Sequence, residues 1–176
     1  MKYNFCPKCG SRLEFGKLKD NDKKRLYCPD CGFIFYQNPK PAVGVIIFRE
    51  PDEILLVKRN IHPYKNFWSF AGGFIEENEK PEDALKREVL EELNLKVKKT
   101  DFFGFYVDNR SYQKDSLLGI IYFSSSDRID FSNIKIDDDE IKDFKFFKLK
   151  NLPQKVAFPL IVKKSLEDFK ERFAKR

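Results

Sequence analysis

GFIEENEKPEDALKREVLEELNL runs from Gly73 to Leu95 and divides at Pro81 into a loop and a helix. Pro81 suits a first helical turn, and Glu82 and Asp83 lie favourably at the positive end of the helix dipole. Leu85, Val89 and Leu93 recur at helical spacing and predict an apolar stripe packed on a sheet, with the helix ending near Leu93. Beside that stripe, Glu88, Glu91 and Glu92 share about a quarter of the helix circumference. Three carboxylates so placed repel one another, which weakens an isolated helix. The same placement suits a hard divalent cation that takes oxygen ligands, so Mg²⁺ or Mn²⁺ is the expected occupant. A purely solvated acidic face is the competing reading.

The spacing tilts that choice. The stretch resembles the Nudix box, in which Gly, Glu, Arg-Glu, an aliphatic, Glu-Glu, Gly and an aliphatic recur at set intervals. Those positions hold Gly73, Glu79, Arg87, Glu88, Val89, Glu91, Glu92, Asn94 and Leu95. Asn94 replaces the glycine that ends the helix in a left-handed conformation, and Asn tolerates that conformation next best. The resemblance implies an α+β fold, a Nudix-type α/β/α sandwich with a mixed sheet. It further implies a cation held by Glu88, Glu91 and Glu92 with the Gly72 carbonyl, and a Glu79–Arg87 pair bracing loop to helix. Nudix proteins also place a metal ligand or base just before a late strand, and Glu140 is the match. Any of Glu88, Glu91 and Glu140 could then take the proton of the attacking water.

Composition sets the outer bounds. With 176 residues, 41% hydrophobic and 19 of them Phe, the chain can fill one ordinary core and carry a small appendage. A formal charge of +6 and a pI near 9.0 favour polyanionic ligands, nucleotides and RNA alike. No apolar run approaches the roughly 20 residues that span a bilayer, and none at the N-terminus looks like a signal, so no membrane partner and a cytoplasmic location are expected.

FCPKCG at 5–10 and YCPDCGF at 27–33 use every cysteine in the chain: Cys6, Cys9, Cys28 and Cys31. Two such knuckles match a four-thiolate zinc ribbon; disulfides are the alternative, disfavoured in a reducing compartment. The segment between them, with Leu13, Phe15, Leu18, Leu26 and Tyr27, is too short and charged for a core of its own, so the metal is expected to supply folding energy. A closed tetrahedral shell makes this zinc structural. Pro39 and Pro41 mark the joint, giving a ribbon over 1–37 and a main domain over 38–176.

In the main domain Ala42–Phe48 reads as a buried central strand, followed by a turn at Glu50–Glu53 and a hairpin partner at Glu53–Lys58. Trp68–Phe70, Thr100–Val107, Leu117–Ser125 and Asp143–Leu149 read as further strands, and Phe158–Phe173 as a terminal helix. Strands on both sides of a helix without regular βαβ alternation predict an α+β sandwich. His62, the sole histidine, reads as a loop residue. Phe67, Trp68, Phe102 and Tyr106 are candidates to stack on a base, against the alternative of core packing.

A ribbon joined to such a domain is similar to the NADH diphosphatase and RNA NAD-decapping branch of the family. That branch has a segment ahead of its ribbon and a Ser-Gln-Pro-Trp-Pro-Phe-Pro run; this sequence has LPQKVAFP, keeping Phe158 and Pro159 without the Trp. ADP-ribose, or another nucleoside diphosphate joined to a small group, is therefore the expected substrate, with NADH and capped RNA behind it. A second class of function remains: Lys17, Lys19, Lys23, Lys24 and Arg25 make the ribbon a candidate RNA-binding module beside a passive domain. The family resemblance also implies a homodimer.

Overall fold

The computed structural model describes residues 3–19, 23–50, 52–112 and 115–173, in two compact units, Met1–Asn38 and Pro39–Arg176.

In the first unit three short strands, β1 (Glu14–Gly16), β2 (Arg25–Tyr27) and β3 (Ile34–Phe35), form an antiparallel sheet in that order. Among the described residues its buried core is Cys6, Leu13, Leu26 and Cys28, with Tyr3, Cys31, Phe33 and Phe35 packed against it. Phe15 and Leu18 stay exposed. Each knuckle closes through a glycine at positive φ, Gly10 donating to the Cys6 carbonyl and Gly32 to that of Cys28.

The second unit is a mixed six-stranded sheet between two helices. Its strands are β4 (Lys40–Arg49), β5 (Glu53–Arg59), β6 (Trp68–Ser69), β7 (Asp101–Tyr112), β8 (Asp115–Ser125) and β9 (Ile141–Lys148). The helices are α1 (Pro81–Leu93) and α2 (Val162–Phe173). The order is β6-β5-β4-β8-β7, with β9 on β5 and β4 parallel to β8.

Period-2 alternation splits the core in two. Val43, Val45 and Ile47 of β4, with Leu55 and Val57 of β5, face one layer; there they meet Ala84, Leu85, Val89 and Leu93 of α1. Ile46, Phe48, Ile54 and Leu56 face the other, against Leu166 and Phe169 of α2. Leu85 is fully buried, so Leu85→Ala is expected to destabilise the unit by about 3 kcal/mol, read as a lower denaturant midpoint with an unchanged slope.

Two expectations need adjusting. The last helix begins at Val162, not Phe158, because Phe158 takes a left-handed φ of 45° and Pro159 follows it. The hairpin of β4 and β5 pairs only from Ile47↔Leu55 to Arg49↔Glu53; beyond that the strands part, and β6 and the segment after it enter between them. The turn expected at Glu50–Glu53 includes position 51, outside the described residues.

Candidate active site and zinc centre

The segment that enters the gap runs along β4. The Val45 N–H donates to the Ala71 carbonyl (3.1 Å) and the Val43 N–H to that of Gly73 (2.8 Å). At this approach no side chain fits: a Cβ on Gly72, at φ 140°, would lie 2.2 Å from the Val43 oxygen. A Cβ on Gly73 would lie 2.4 Å from a Glu88 carboxylate oxygen. The glycine pair thus lets α1 press its acidic face onto the loop.

A cleft of about 290 Å³ opens there, lined by Gly72, Gly73, Glu76, Glu88, Glu92 and Glu140 and by residues of the α2 layer, among them Phe158, Ile161 and Val162. Glu92 is only 5% exposed, accepts the Gly72 N–H at 2.9 Å, and forms no ion pair among the described residues. Its burial, then the charges of Glu88 and Glu140, push its carboxyl up to about 8 against the opposing Gly72 hydrogen bond and the positive charge of Arg59. Burial likewise raises Glu88. Glu140 enters by long-range pairing: its carbonyl accepts the Asn60 N–H (2.7 Å), and Asp137 N–H donates to the Glu92 carbonyl (3.1 Å).

Arg87 ties loop to helix. Nε and Nη2 reach both oxygens of Glu79 (2.8 and 2.9 Å), Nη2 also reaches the Phe74 carbonyl (3.0 Å), and Nη1 reaches Glu88 (2.8 Å) and Glu91 (3.0 Å). Hydrogen bonds from Arg87 hold Glu79 down at about 2. Glu91 points to this arginine and does not line the cleft. At the helix end Asn94 adopts the left-handed conformation (φ 53°), and its side-chain amide holds the Asn133 carbonyl at 2.9 Å, a bond glycine could not make.

The four aromatic candidates stand outside the cleft lining. Phe67 packs on Tyr64, Trp68 meets the edge of Phe147, and Tyr106 is buried with its hydroxyl donating to Asp168 (2.9 Å). Phe102 is 51% exposed on β7 beside Phe105. Arg59 and His62 do line the cleft.

A buried carboxylate with no ion pair among the described residues, set beside two more, is a donor set of the kind a hard cation neutralises, so these residues fit Mg²⁺ or Mn²⁺. Without metal the raised Glu92 acts against the fold. Unfolded it ionises near pH 4, folded only near pH 8, so stability falls across that interval as pH rises. Melting in EDTA is expected to show this decline between about pH 5 and 8, and Glu92→Gln to flatten it.

In the ribbon the four Sγ atoms lie within 4.8 Å of one another, with Cys6–Cys31 at 3.6 Å and Cys9–Cys28 at 3.5 Å. Tetrahedral Zn–S bonds of about 2.3 Å put sulfurs about 3.8 Å apart, so the cluster fits zinc. No two of the four are joined in a disulfide.

The NUDIX domain model matches residues 38–169, and the Nudix N-terminal zinc-ribbon model matches residues 4–37. The ADP-ribose pyrophosphatase of Methanocaldococcus jannaschii is 32% identical over 149 residues, covering 85% of this chain and 80% of that protein. The NAD-capped RNA hydrolase NudC of Pseudomonas aeruginosa is 30% identical over 151 residues, 85% of this chain and 49% of that one; the chain spans about half the length of such relatives. A NUDIX hydrolase structure from Nitrosomonas europaea superposes with a TM-score of 0.74 at 27% identity, covering 98% of this chain and 93% of that chain. Among the described residues no helix is long and apolar enough to cross a membrane.

Proposed function

This chain belongs to the Nudix hydrolase family, and we propose that it hydrolyses the diphosphate bridge of a nucleoside diphosphate joined to a second group, ADP-ribose being the preferred substrate. The observation that carries the proposal is Glu92, a buried carboxylate with no ion pair among the described residues, set against Glu88 and Glu140 at a cleft floored by Gly72 and Gly73. The 32% identity to an ADP-ribose pyrophosphatase supports the substrate class.

Glu88, Glu92 and Glu140, with the Gly72 carbonyl, would hold the cation, and Glu91 would complete the set on release from Arg87. When bound, Mg²⁺ or Mn²⁺ neutralises phosphate charge and lowers the pKa of water. Glu88 or Glu140 then takes the proton as the water oxygen attacks one phosphorus, and the bridging P–O electron pair leaves with the other phosphate. Burial raises Glu88 towards the pKa such a base needs. Glu79 holds Arg87, and through it the loop, in place. Zinc in the ribbon serves folding.

The second reading is the same cleavage at the NAD cap of an RNA, supported by the relatives named for that activity and by the basic residues of the ribbon. Product analysis with Mg²⁺ and equal concentrations of ADP-ribose, NADH, NAD⁺ and NAD-capped RNA separates the two. AMP released fastest from ADP-ribose supports the first. Preference for the capped RNA selects the second, and RNA binding without hydrolysis of anything in the panel leaves the ribbon-centred reading.

A further inference from the structure

We propose that Asn60 and Asn94 are positioning residues that keep Glu140 in the cleft, each by gripping the backbone of the segment that carries it; the inference rests on the role given to Glu140 above. Residues 130–140 form neither helix nor strand and lead directly into β9. Glu140, the last of them, lines the cleft, and its charge acts on Glu88 and Glu92 alike.

Charge by itself would drive this segment away. Asp137, Asp138, Asp139 and Glu140 are four consecutive acids. They lie against the C-terminal end of α1, where the helix dipole is negative, and its last turn has no basic residue to offset them.

Hydrogen bonds hold the segment instead. The Lys135 N–H donates to the Leu93 carbonyl (3.0 Å) and the Asp137 N–H to the Glu92 carbonyl (3.1 Å), so the segment closes two carbonyls that the end of α1 leaves open. Asn94 adds its side chain, with Nδ2 donating to the Asn133 carbonyl at 2.9 Å. At the other end Asn60, the residue after β5, holds twice. Its N–H donates to the Glu140 carbonyl at 2.7 Å and its Nδ2 to the Asp138 carbonyl at 2.6 Å. Among the described residues these two asparagines are the side chains from outside the segment that bond to its backbone. Both are amides, and the choice has a chemical reason. An amide grips a carbonyl without bringing a positive charge, whereas a lysine or arginine in its place would compete with the cation for the carboxylates.

Asn94→Gly, Asn60→Ala and Glu140→Gln, singly and combined, are to be assayed with Mg²⁺ on whichever substrate of the panel wild type turns over fastest. Glycine keeps the left-handed end of α1 (φ 53°) and removes only the side-chain bond, so Asn94→Gly is expected to melt within about 4 °C of wild type. Each asparagine variant should lose about three- to tenfold in kcat, and the pair about thirtyfold, with KM nearly unchanged. In the Glu140→Gln background the same substitutions should cost less than about twofold, because the group they position no longer acts. A merely structural role would cost as much there as in wild type, and equal losses in the two backgrounds overturn the proposal. So does a paired variant within about twofold of wild type, or a Glu140→Gln variant as active as wild type. If Asn60→Ala fails to fold, the comparison of Asn94→Gly in the two backgrounds decides alone. Should wild type hydrolyse nothing, the diphosphatase reading falls by itself, and Mn²⁺ affinities of the same variants by electron paramagnetic resonance decide the inference. Weakening of about threefold or more that vanishes in the Glu140→Gln background supports it. Equal affinity throughout, or no Mn²⁺ taken up by wild type, overturns it.

Discussion

Glu92→Gln is expected to lower kcat about 10³-fold while leaving the fold intact. The side chain is 5% exposed and bound to the Gly72 N–H, a bond the glutamine amide oxygen also accepts, so shape and packing survive the change. What disappears is the negative charge through which the acidic group would draw a cation into the cleft. The same substitution removes the penalty of a buried carboxylate, so the metal-free variant should melt above metal-free wild type at pH 8. Loss of activity with gain of stability is the signature of a residue kept for function. Circular dichroism melts in EDTA, run beside steady-state rates in Mg²⁺, give both numbers. A variant that loses activity because it melts far below wild type would instead mark Glu92 as structural.

The second large effect belongs to the ribbon. Among the described residues its buried core amounts to two leucines and two cysteines, too little apolar surface to order a unit of this size. Structural zinc in small domains supplies roughly 10–16 kcal/mol of apparent binding energy at neutral pH, far more than that core. Cys28 is wholly buried within the thiolate cluster, and Cys28→Ser should therefore unfold the ribbon. Zinc analysis should fall from about one ion per chain to none, and limited proteolysis should clip within residues 1–38 at a rate at least about tenfold faster. The main unit has its own two core layers on the sheet. Its melting transition should persist in the variant, and a chain that loses both together would contradict that independence.

How much of this was readable beforehand depended on distance along the chain. The acidic helix, its apolar stripe and the glycine pair lie within one short stretch, where helical period and turn chemistry act directly, and α1 runs over the residues its spacing predicts. The cysteine knuckles are equally local. The parting of β4 from β5, the parallel pairing of β4 with β8 and the attachment of β9 to the far side of β5 depend on contacts between distant segments. No local pattern encodes them. Arg59 and Phe158 reach one cleft because β6 pairs with β5 and its backbone bonds to Lys155 and Ala157. His62, which reads as a loop residue, comes to the cleft wall by the same route. Aromatic type could not tell a stacking residue from a packing one in a chain with 19 Phe, and Trp68 and Tyr106 are engaged with Phe147 and Asp168. The glycine pattern also concealed what Asn94 adds, since its bond to Asn133 joins the end of α1 to a segment 39 residues on.

At the centre of the account stands the claim that the acidic face of α1 is a divalent-cation site, and titration of Mn²⁺ into the metal-free, zinc-loaded protein, followed by electron paramagnetic resonance, tests it most directly. Wild type is expected to take up Mn²⁺, to release it to excess Mg²⁺, and to bind more weakly below about pH 8 as Glu92 takes up its proton. Glu92→Gln should weaken that uptake by at least about tenfold. Mn²⁺ bound with equal affinity by wild type and variant, or not bound by either, would contradict the account.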